Sequence, residues 1–233
     1  MLSYILYILG IIVAFVAVIC SIVVNTKFNK WAKENSLRGM TGAQVAEWML
    51  RQAGIHDVAI CKLENGNALN NYYHPKHRTV NLSSEVYESS SIAAIAVAAH
   101  ECGHAIQHHE QYAPLTLRSA LAPVASLGTN VAPLLFFIGL IVIYIFETTA
   151  FVWLIDFAIL AYALAVMFYF VTLPVEFNAS SRALKALENS NILNGNELNG
   201  AQQVLSAAAM TYVAAAAAAA IQLLRMLVVR GRD

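Results

Sequence analysis

The sequence predicts an α-helical integral membrane protein with a small α+β region outside the bilayer. Of its 233 residues, 59% are hydrophobic and only 12% are charged, which is too apolar for an ordinary soluble domain. Three apolar runs are each long enough to cross a bilayer, whereas residues 39–118 are mixed in polarity. We therefore expect any chemistry that needs polar side chains to be concentrated in that mixed region.

The alternation of apolar and mixed stretches divides the chain into four regions. We predict an N-terminal transmembrane helix over residues 1–26 and a cytoplasmic α+β region over 27–118. A transmembrane helical hairpin follows over 119–174, and residues 175–233 contain an alanine-rich C-terminal helix. The sequence leaves the topology of this fourth helix open, because a span would export the arginines at its end, Arg225, Arg230 and Arg232.

The placement of basic residues predicts which side of the membrane each segment faces. Residues Leu2 to Val24 are almost all apolar, and four basic residues follow directly: Lys27, Lys30, Lys33 and Arg38. By the positive-inside rule, residue 27 onward lies in the cytoplasm, and the hairpin turn at 147–150, which has no Lys or Arg, lies outside. A signal peptide is the alternative, but the segment lacks a basic start and a small-residue cleavage site.

The mixed region has the pattern of a helix followed by a small sheet. Thr41 and Gln44 form a predicted capping box for a helix that ends near Gln52, with Gly54 as its stop. Strands are predicted over Val58 to Leu63, Leu69 to His74 and Thr79 to Ser83, and the last two form a hairpin. In the last strand we expect Val80 and Leu82 to face inward and the polar residues outward. The hairpin edge can bind an extended peptide or be purely structural.

A His-Glu-x-x-His motif follows in the segment Ala99-His100-Glu101-Cys102-Gly103-His104-Ala105. On a helix, His100 and His104 project from one face a turn apart, the spacing that two ligands of one zinc ion require. Glu101 lies beside them, where it can take a proton from water. Polar residues on a helix surface are the alternative, but the preceding run of small apolar residues predicts a buried helix, in which unpaired polar groups are costly.

A second polar stretch, Leu173-Pro174-Val175-Glu176-Phe177-Asn178-Ala179-Ser180-Ser181-Arg182, follows the hairpin. Pro174 fits the first turn of a new helix. Glu176 would be a carboxylate at the membrane or its surface, which is expensive unless it is paired. It is either a helix-terminus acid paired with Arg182 or the third ligand of a zinc ion.

Other candidate residues fit less well. His108 continues the i+4 spacing, but one straight helix cannot wrap three such side chains around a tetrahedral ion. His109 has no spacing that favours it, and a metzincin-type third histidine fails because Gln107 and Glu110 stand at the required glycine and histidine positions. Cys102 faces away from the ligands and is predicted to pack in the core.

Composition also limits the partners. The formal net charge is zero and no phosphate-binding glycine loop or nucleic-acid motif is present, which argues against nucleic acid as a partner. The three cysteines, Cys20, Cys61 and Cys102, are far apart and odd in number, so no disulfide framework is expected.

With these stretches together, the chain resembles the YugP-type neutral zinc metallopeptidase family of bacterial membrane proteins. The resemblance rests on six segments: the Thr-Gly-Ala-x-Val-Ala start at Thr41, Thr79 to Ser83, Ala98 to His108, Tyr112 to Leu115, Leu173 to Ser180, and Ala208 to Ala215. A fainter similarity connects it to HtpX-type and CAAX-prenyl membrane proteases. In those proteins a Glu-x-x-Ala-Asp segment supplies the third ligand and a supporting acid, whereas this chain has Ser180 at the final position.

The resemblance implies a zincin-like metallopeptidase domain with one zinc ion held by His100, His104 and Glu176. It implies a multi-pass protein of the bacterial cell (inner) membrane, with an active site facing the cytoplasm, that hydrolyses peptide or protein substrates such as membrane or misfolded proteins. Glu101 would be the general base. Candidates for a donor to the oxyanion are Tyr212, His74, His77 and Arg182, each of which is better explained by an ordinary structural role.

A scaffold or chaperone with a structural zinc site is the alternative function. Structural zinc sites are normally closed by four protein ligands, often including cysteine. Two histidines, one glutamate and an adjacent base therefore favour catalysis.

Overall fold

The chain is described by a computed structural model that covers residues 2–64, 69–147 and 149–231. These residues form mainly helices and one three-stranded sheet. In chain order the elements are α1 (Leu2–Trp31), α2 (Gly42–Gln52), β1 (Ala59–Leu63), β2 (Tyr72–His74), β3 (Thr79–Ser83), α3 (Ser84–Glu88), α4 (Ile92–His109), α5 (Ala113–Asn130), α6 (Ala132–Phe146), α7 (Val152–Asn189) and α8 (Asn196–Arg230). Thr148 of the predicted external turn and Arg232 lie outside the described residues.

Within the described residues, four helical stretches are long and apolar enough to cross a membrane. They are Tyr4–Trp31, Ala113–Phe146, Val152–Asn189 and Asn196–Arg230. The three apolar helices expected from the sequence are therefore present, and the C-terminal helix meets the same criterion of length and composition. This set of helices supports an integral membrane protein.

Two prolines have different effects on the apolar helices. The apolar run from Leu121 to Phe146 is split into α5 and α6 at Val131, with Pro133 in the first turn of α6. The prediction that Pro174 begins a new helix is wrong, because α7 continues through it. The reason is packing. An interior proline costs about 3 kcal/mol, but the following stripe of Val175, Ala179, Ala183 and Leu187 is fully buried, and each large side chain in it contributes roughly 1.5–3 kcal/mol.

By contact, the chain forms two compact units. One comprises the apolar segments Met1–Ile19, Thr116–Leu173 and Thr211–Asp233. In it, Gly128 lies against the backbone oxygen of Ala161, an approach that a side chain would block. Asp156 forms an ion pair with Arg230, whose Nε lies 2.8 Å from Asp156 Oδ1.

The other unit comprises Cys20–Leu115 and Pro174–Met210, and contains the sheet and α4. Its helix α2 begins as predicted: the Gln44 amide donates to Thr41 Oγ1, and the Thr41 amide donates to Gln44 Oε1. Gly54 follows the helix with a φ of +69°, a left-handed conformation that favours glycine. The capping box and the glycine stop are thus confirmed.

The sheet has the strand order β1-β3-β2, with β1 parallel and β2 antiparallel to β3. The hairpin of β2 and β3 is confirmed, but the expected alternation along β3 is wrong, since Asn81 and Ser83 are buried along with Val80 and Leu82. A central strand is covered on both faces. The polar side chains are satisfied there, because Asn81 Nδ2 donates to Thr79 Oγ1 and Ser83 Oγ accepts from the Val86 amide.

Helix α4 runs through the centre of this unit. The Ser91 hydroxyl accepts a hydrogen bond from the Ala94 amide and caps its first turn. Its first residues, from Ile92 to Ala99, are nearly all buried among α2, α3 and the sheet. The small side chains allow close packing on every side, so that the polar residues at 100, 101 and 104 are held by a rigid helix.

Candidate metal centre

The two motif histidines lie on the second half of α4, as their spacing predicts. Their rings are 4.7 Å apart between centroids and stand edge to face, with 83° between the planes. His104 is 8% exposed, and the His100 side chain is 15% exposed. The pair therefore borders the protein interior and retains limited access from outside.

Glu176 on α7 completes a three-residue cluster. Its Oε2 lies 3.3 Å from His100 Nε2 and 3.7 Å from His104 Nε2, and the possible ligand atoms of the three residues all lie within 4.8 Å of one another. Tetrahedral zinc with ligands at 2.0–2.2 Å separates neighbouring ligand atoms by about 3.4 Å. Two imidazole nitrogens and a carboxylate in this arrangement fit the donor set of a catalytic zinc site.

Gly103 allows α4 and α7 to approach each other at this point. A side-chain Cβ at this position would lie 2.6 Å from the backbone oxygen of Ala179 and 3.1 Å from its Cα. Because real Cβ atoms do not come so close to backbone, any larger residue would force the two helices apart. The glycine between the motif histidines is thus a condition for placing Glu176 beside them.

Each histidine is oriented through its second nitrogen. His100 Nδ1 lies 3.1 Å from Ser180 Oγ, and His104 Nδ1 lies 3.0 Å from Gln107 Oε1. Both Nε2 atoms are thereby directed toward Glu176. Partners of this kind fix the ring orientation and tautomer of metal-ligating histidines.

The protonation of His104 reflects two opposing effects. Burial lowers its pKa, but the hydrogen bond to Glu176 and the negative charges of Glu101 and Glu176 raise it, and the pKa lies above its ordinary value. A divalent cation at this centre competes with a proton for His104 Nε2.

Glu101 connects the motif helix to the edge of the sheet. It is 8% exposed, and its Oε2 accepts a hydrogen bond of 3.0 Å from the Tyr73 amide of β2. The Tyr73 hydroxyl lies 2.7 Å from His108 Nδ1, which ties the same strand to α4 a second time. Burial raises the pKa of Tyr73. These two contacts hold β2 alongside the histidine cluster.

The other candidates lie elsewhere or have structural partners. His108 and His109 are exposed on the last turn of α4, and the metal-capable cluster of the described residues does not include them. Cys102 is fully buried with Sγ 3.6 Å from the Ala46 oxygen, and burial raises the pKa of its thiol, so its predicted packing role is confirmed. His74 accepts from the His77 amide in the turn between β2 and β3. Tyr212 lies on α8 in the apolar unit.

Arg182, the alternative partner for Glu176, forms an ion pair with Glu110, with 2.7 Å between Nη2 and Oε2. The guanidinium holds the pKa of the Glu110 carboxyl below its usual range. Arg182 Nε also donates to Asn178 Oδ1 at 2.7 Å.

Sequence reasoning did not identify Gln107 and Asn178 as part of the site. Gln107 Nε2 lies 2.9 Å from Asn178 Oδ1, across the contact between α4 and α7. A signal was present for Gln107, because it follows His104 by three residues and thus shares its helix face. No local pattern could pair it with Asn178, which is 71 residues away.

The fold and the site together define a mainly helical protein with apolar helices long enough to cross a membrane and a two-histidine, one-glutamate cluster that can hold a metal ion. Comparison with known proteins agrees with this class. The model of the family described as "Putative neutral zinc metallopeptidase" matches residues 5–231. The chain is also 42% identical over 212 residues to "Putative membrane protease YugP" from Bacillus subtilis (strain 168), covering 90% of each chain.

The chain therefore belongs to this zinc metallopeptidase family, as the motifs predicted. No solved protein structure matches it significantly.

Proposed function

We propose that this protein is a membrane-embedded, zinc-dependent endopeptidase whose α+β unit is a zincin-like domain. The observation that carries the proposal is the convergence of His100, His104 and Glu176 within 4.8 Å, next to Glu101. Family membership supports zinc as the metal. In the part of the chain that the structure describes, the cluster offers three ligands and not four, which favours a catalytic site over a structural one.

The roles of the residues follow from their contacts. His100 Nε2, His104 Nε2 and the Glu176 carboxylate would hold zinc, which when bound supplies a Lewis acid that polarises a peptide carbonyl and acidifies water. Glu101 engages the Tyr73 amide through Oε2 and leaves Oε1 to take a proton from the attacking water. Glu101 would later return this proton to the leaving amine. Ser180 and Gln107 would keep the two imidazoles directed at the metal.

The edge of the sheet offers a place for an extended peptide. Strand β2 lies at the edge, and its Tyr73 amide points outward to Glu101. In an antiparallel pair, the amide and the carbonyl of one residue point to the same side. The Tyr73 carbonyl is therefore positioned to accept a hydrogen bond from a peptide or protein substrate that adds to β2 beside the metal centre.

Zinc-dependent proteolysis by the detergent-purified chain tests the function. We expect cleavage of an unstructured protein such as casein, loss of cleavage when a chelator removes the metal, and recovery when zinc is returned. Elemental analysis of the purified protein should show about one zinc per chain. A zinc-loaded protein without cleavage of any unstructured substrate would favour a scaffold instead.

The proposal includes a topology for a multi-pass protein of the bacterial cell membrane. Residues 27–118 and 176–200 face the cytoplasm and the 147–150 turn faces outside, consistent with the four predicted regions 1–26, 27–118, 119–174 and 175–233. In a variant whose three native cysteines are replaced by alanine, a membrane-impermeant thiol reagent applied to intact cells should label Glu147→Cys and not Glu64→Cys. Labelling of both positions from outside would contradict this topology.

A further inference from the structure

The two candidate ligand histidines differ in the hydrogen bonds that support them, and His104 has the more extended set. His100 has the neutral Ser180 hydroxyl at Nδ1, at 3.1 Å. His104 has the Gln107 amide, which is fully buried and is part of a longer series of hydrogen bonds. The series of hydrogen bonds that begins at His104 extends from the metal centre to the protein surface.

The contacts of Gln107 determine the orientation of its amide. Its Nε2 donates to the Val175 carbonyl at 2.8 Å and to Asn178 Oδ1 at 2.9 Å. Both partners are acceptors, so the NH₂ group must face them. The Gln107 carbonyl oxygen is then directed at His104 Nδ1, which must donate its proton, and the lone pair of Nε2 is available to a metal.

Asn178 is fixed in turn by a charged residue. Its Oδ1 also accepts from Arg182 Nε at 2.7 Å, and a flipped amide would direct an NH₂ group at a guanidinium, which can only donate. Arg182 uses Nη2 for the ion pair with Glu110, and its guanidinium lies 6.0 Å from the centroid of the Tyr112 ring. Arg182 thus fixes the orientation of the Asn178 amide, and Asn178 in turn fixes the orientation of the Gln107 amide.

We propose that Gln107 is the positioning residue of the ligand His104, and that Arg182 acts on the metal through Asn178 and Gln107. This relay of Arg182, Asn178 and Gln107 performs the task that a buried carboxylate performs in many metal sites. It does so without adding a negative charge next to Glu101 and Glu176. The inference rests on the proposed zinc site and specifies how that site is kept in the binding geometry.

A purely structural role for the relay, as a tie between α4 and α7, predicts a different result. Removing a contact between the two helices lowers the stability of the folded unit, and the losses from removing independent contacts add up. A relay acts on one quantity, the zinc affinity of the folded protein. Because Arg182 acts only through Gln107, its removal has no further effect once Gln107 has lost its amide.

The test measures zinc dissociation constants by chelator competition on the full-length protein in detergent. Gln107→Met keeps the length of the side chain and removes the acceptor for His104, and we expect about 10- to 100-fold weaker zinc binding. Arg182→Met should weaken binding about three- to tenfold, the range to which one net hydrogen bond corresponds. The double variant should bind as weakly as Gln107→Met alone.

Arg51→Met is the matched control, since it removes an arginine from an ion pair in the same unit, with Glu47 on α2, and it should bind zinc like the parent. Equal affinity of parent and Gln107→Met, or multiplied losses in the double variant, would overturn the relay while leaving the zinc site intact. If Gln107→Met does not fold, Arg182→Met against Arg51→Met decides the question. A parent that binds no zinc would overturn the proposed function and the relay with it.

Discussion

Glu101→Gln should keep its zinc and lose about 10²- to 10⁴-fold in the rate of casein cleavage, the usual contribution of a general acid–base group. The substitution retains the shape of the side chain and an oxygen that can accept from the Tyr73 amide, so that β2 stays attached to α4. It removes the basic oxygen that takes the proton from water. The metal ligands are unchanged, and zinc content by elemental analysis should equal that of the parent.

Glu47→Gln is a suitable control, because this glutamate lies in the same unit and is exposed in an ion pair with Arg51. It should cleave at the parental rate. A zinc-loaded Glu101→Gln protein that cleaves as fast as the parent would exclude Glu101 as the base. Loss of zinc together with activity would show instead that the substitution disturbs the centre itself.

Glu176→Ala should lose more than about 100-fold in zinc affinity, which exceeds the effect expected for any supporting residue. Glu176 is 2% exposed, and its carboxylate lies within 4 Å of both imidazoles. Without it, two histidines on one helix form an incomplete site. Chelator competition measures the loss, and circular dichroism shows whether the helices remain.

Glu188→Ala provides the matched control for this second experiment. Glu188 is on the same helix α7, but its side chain is exposed, and its removal should not alter zinc binding. Parental zinc affinity in Glu176→Ala would move the third ligand to another residue. His108 would be examined first, since it is the next histidine on the motif helix face.

The sequence alone determined the features that depend on local chemistry. The apolar runs predicted the long helices, because a segment without polar side chains is favourable only in lipid or in a core. Thr41 and Gln44 predicted the start of α2, and the i+4 spacing predicted that His100 and His104 share a face, since both follow from the geometry of a single helix. The family was also evident from contiguous segments.

Only the tertiary structure decided the features that depend on distant residues. Pro174 lies inside α7 because a buried stripe outweighs the local cost of an interior proline, and the polar side chains of β3 are buried because the strand is central. The sequence left two roles open for Glu176, a helix-terminus acid paired with Arg182 or a third metal ligand. The path of α7 places its carboxylate beside the histidines. Gln107 and Asn178 meet only because Gly103 allows two helices, far apart in sequence, to touch, and no local periodicity encodes such a contact.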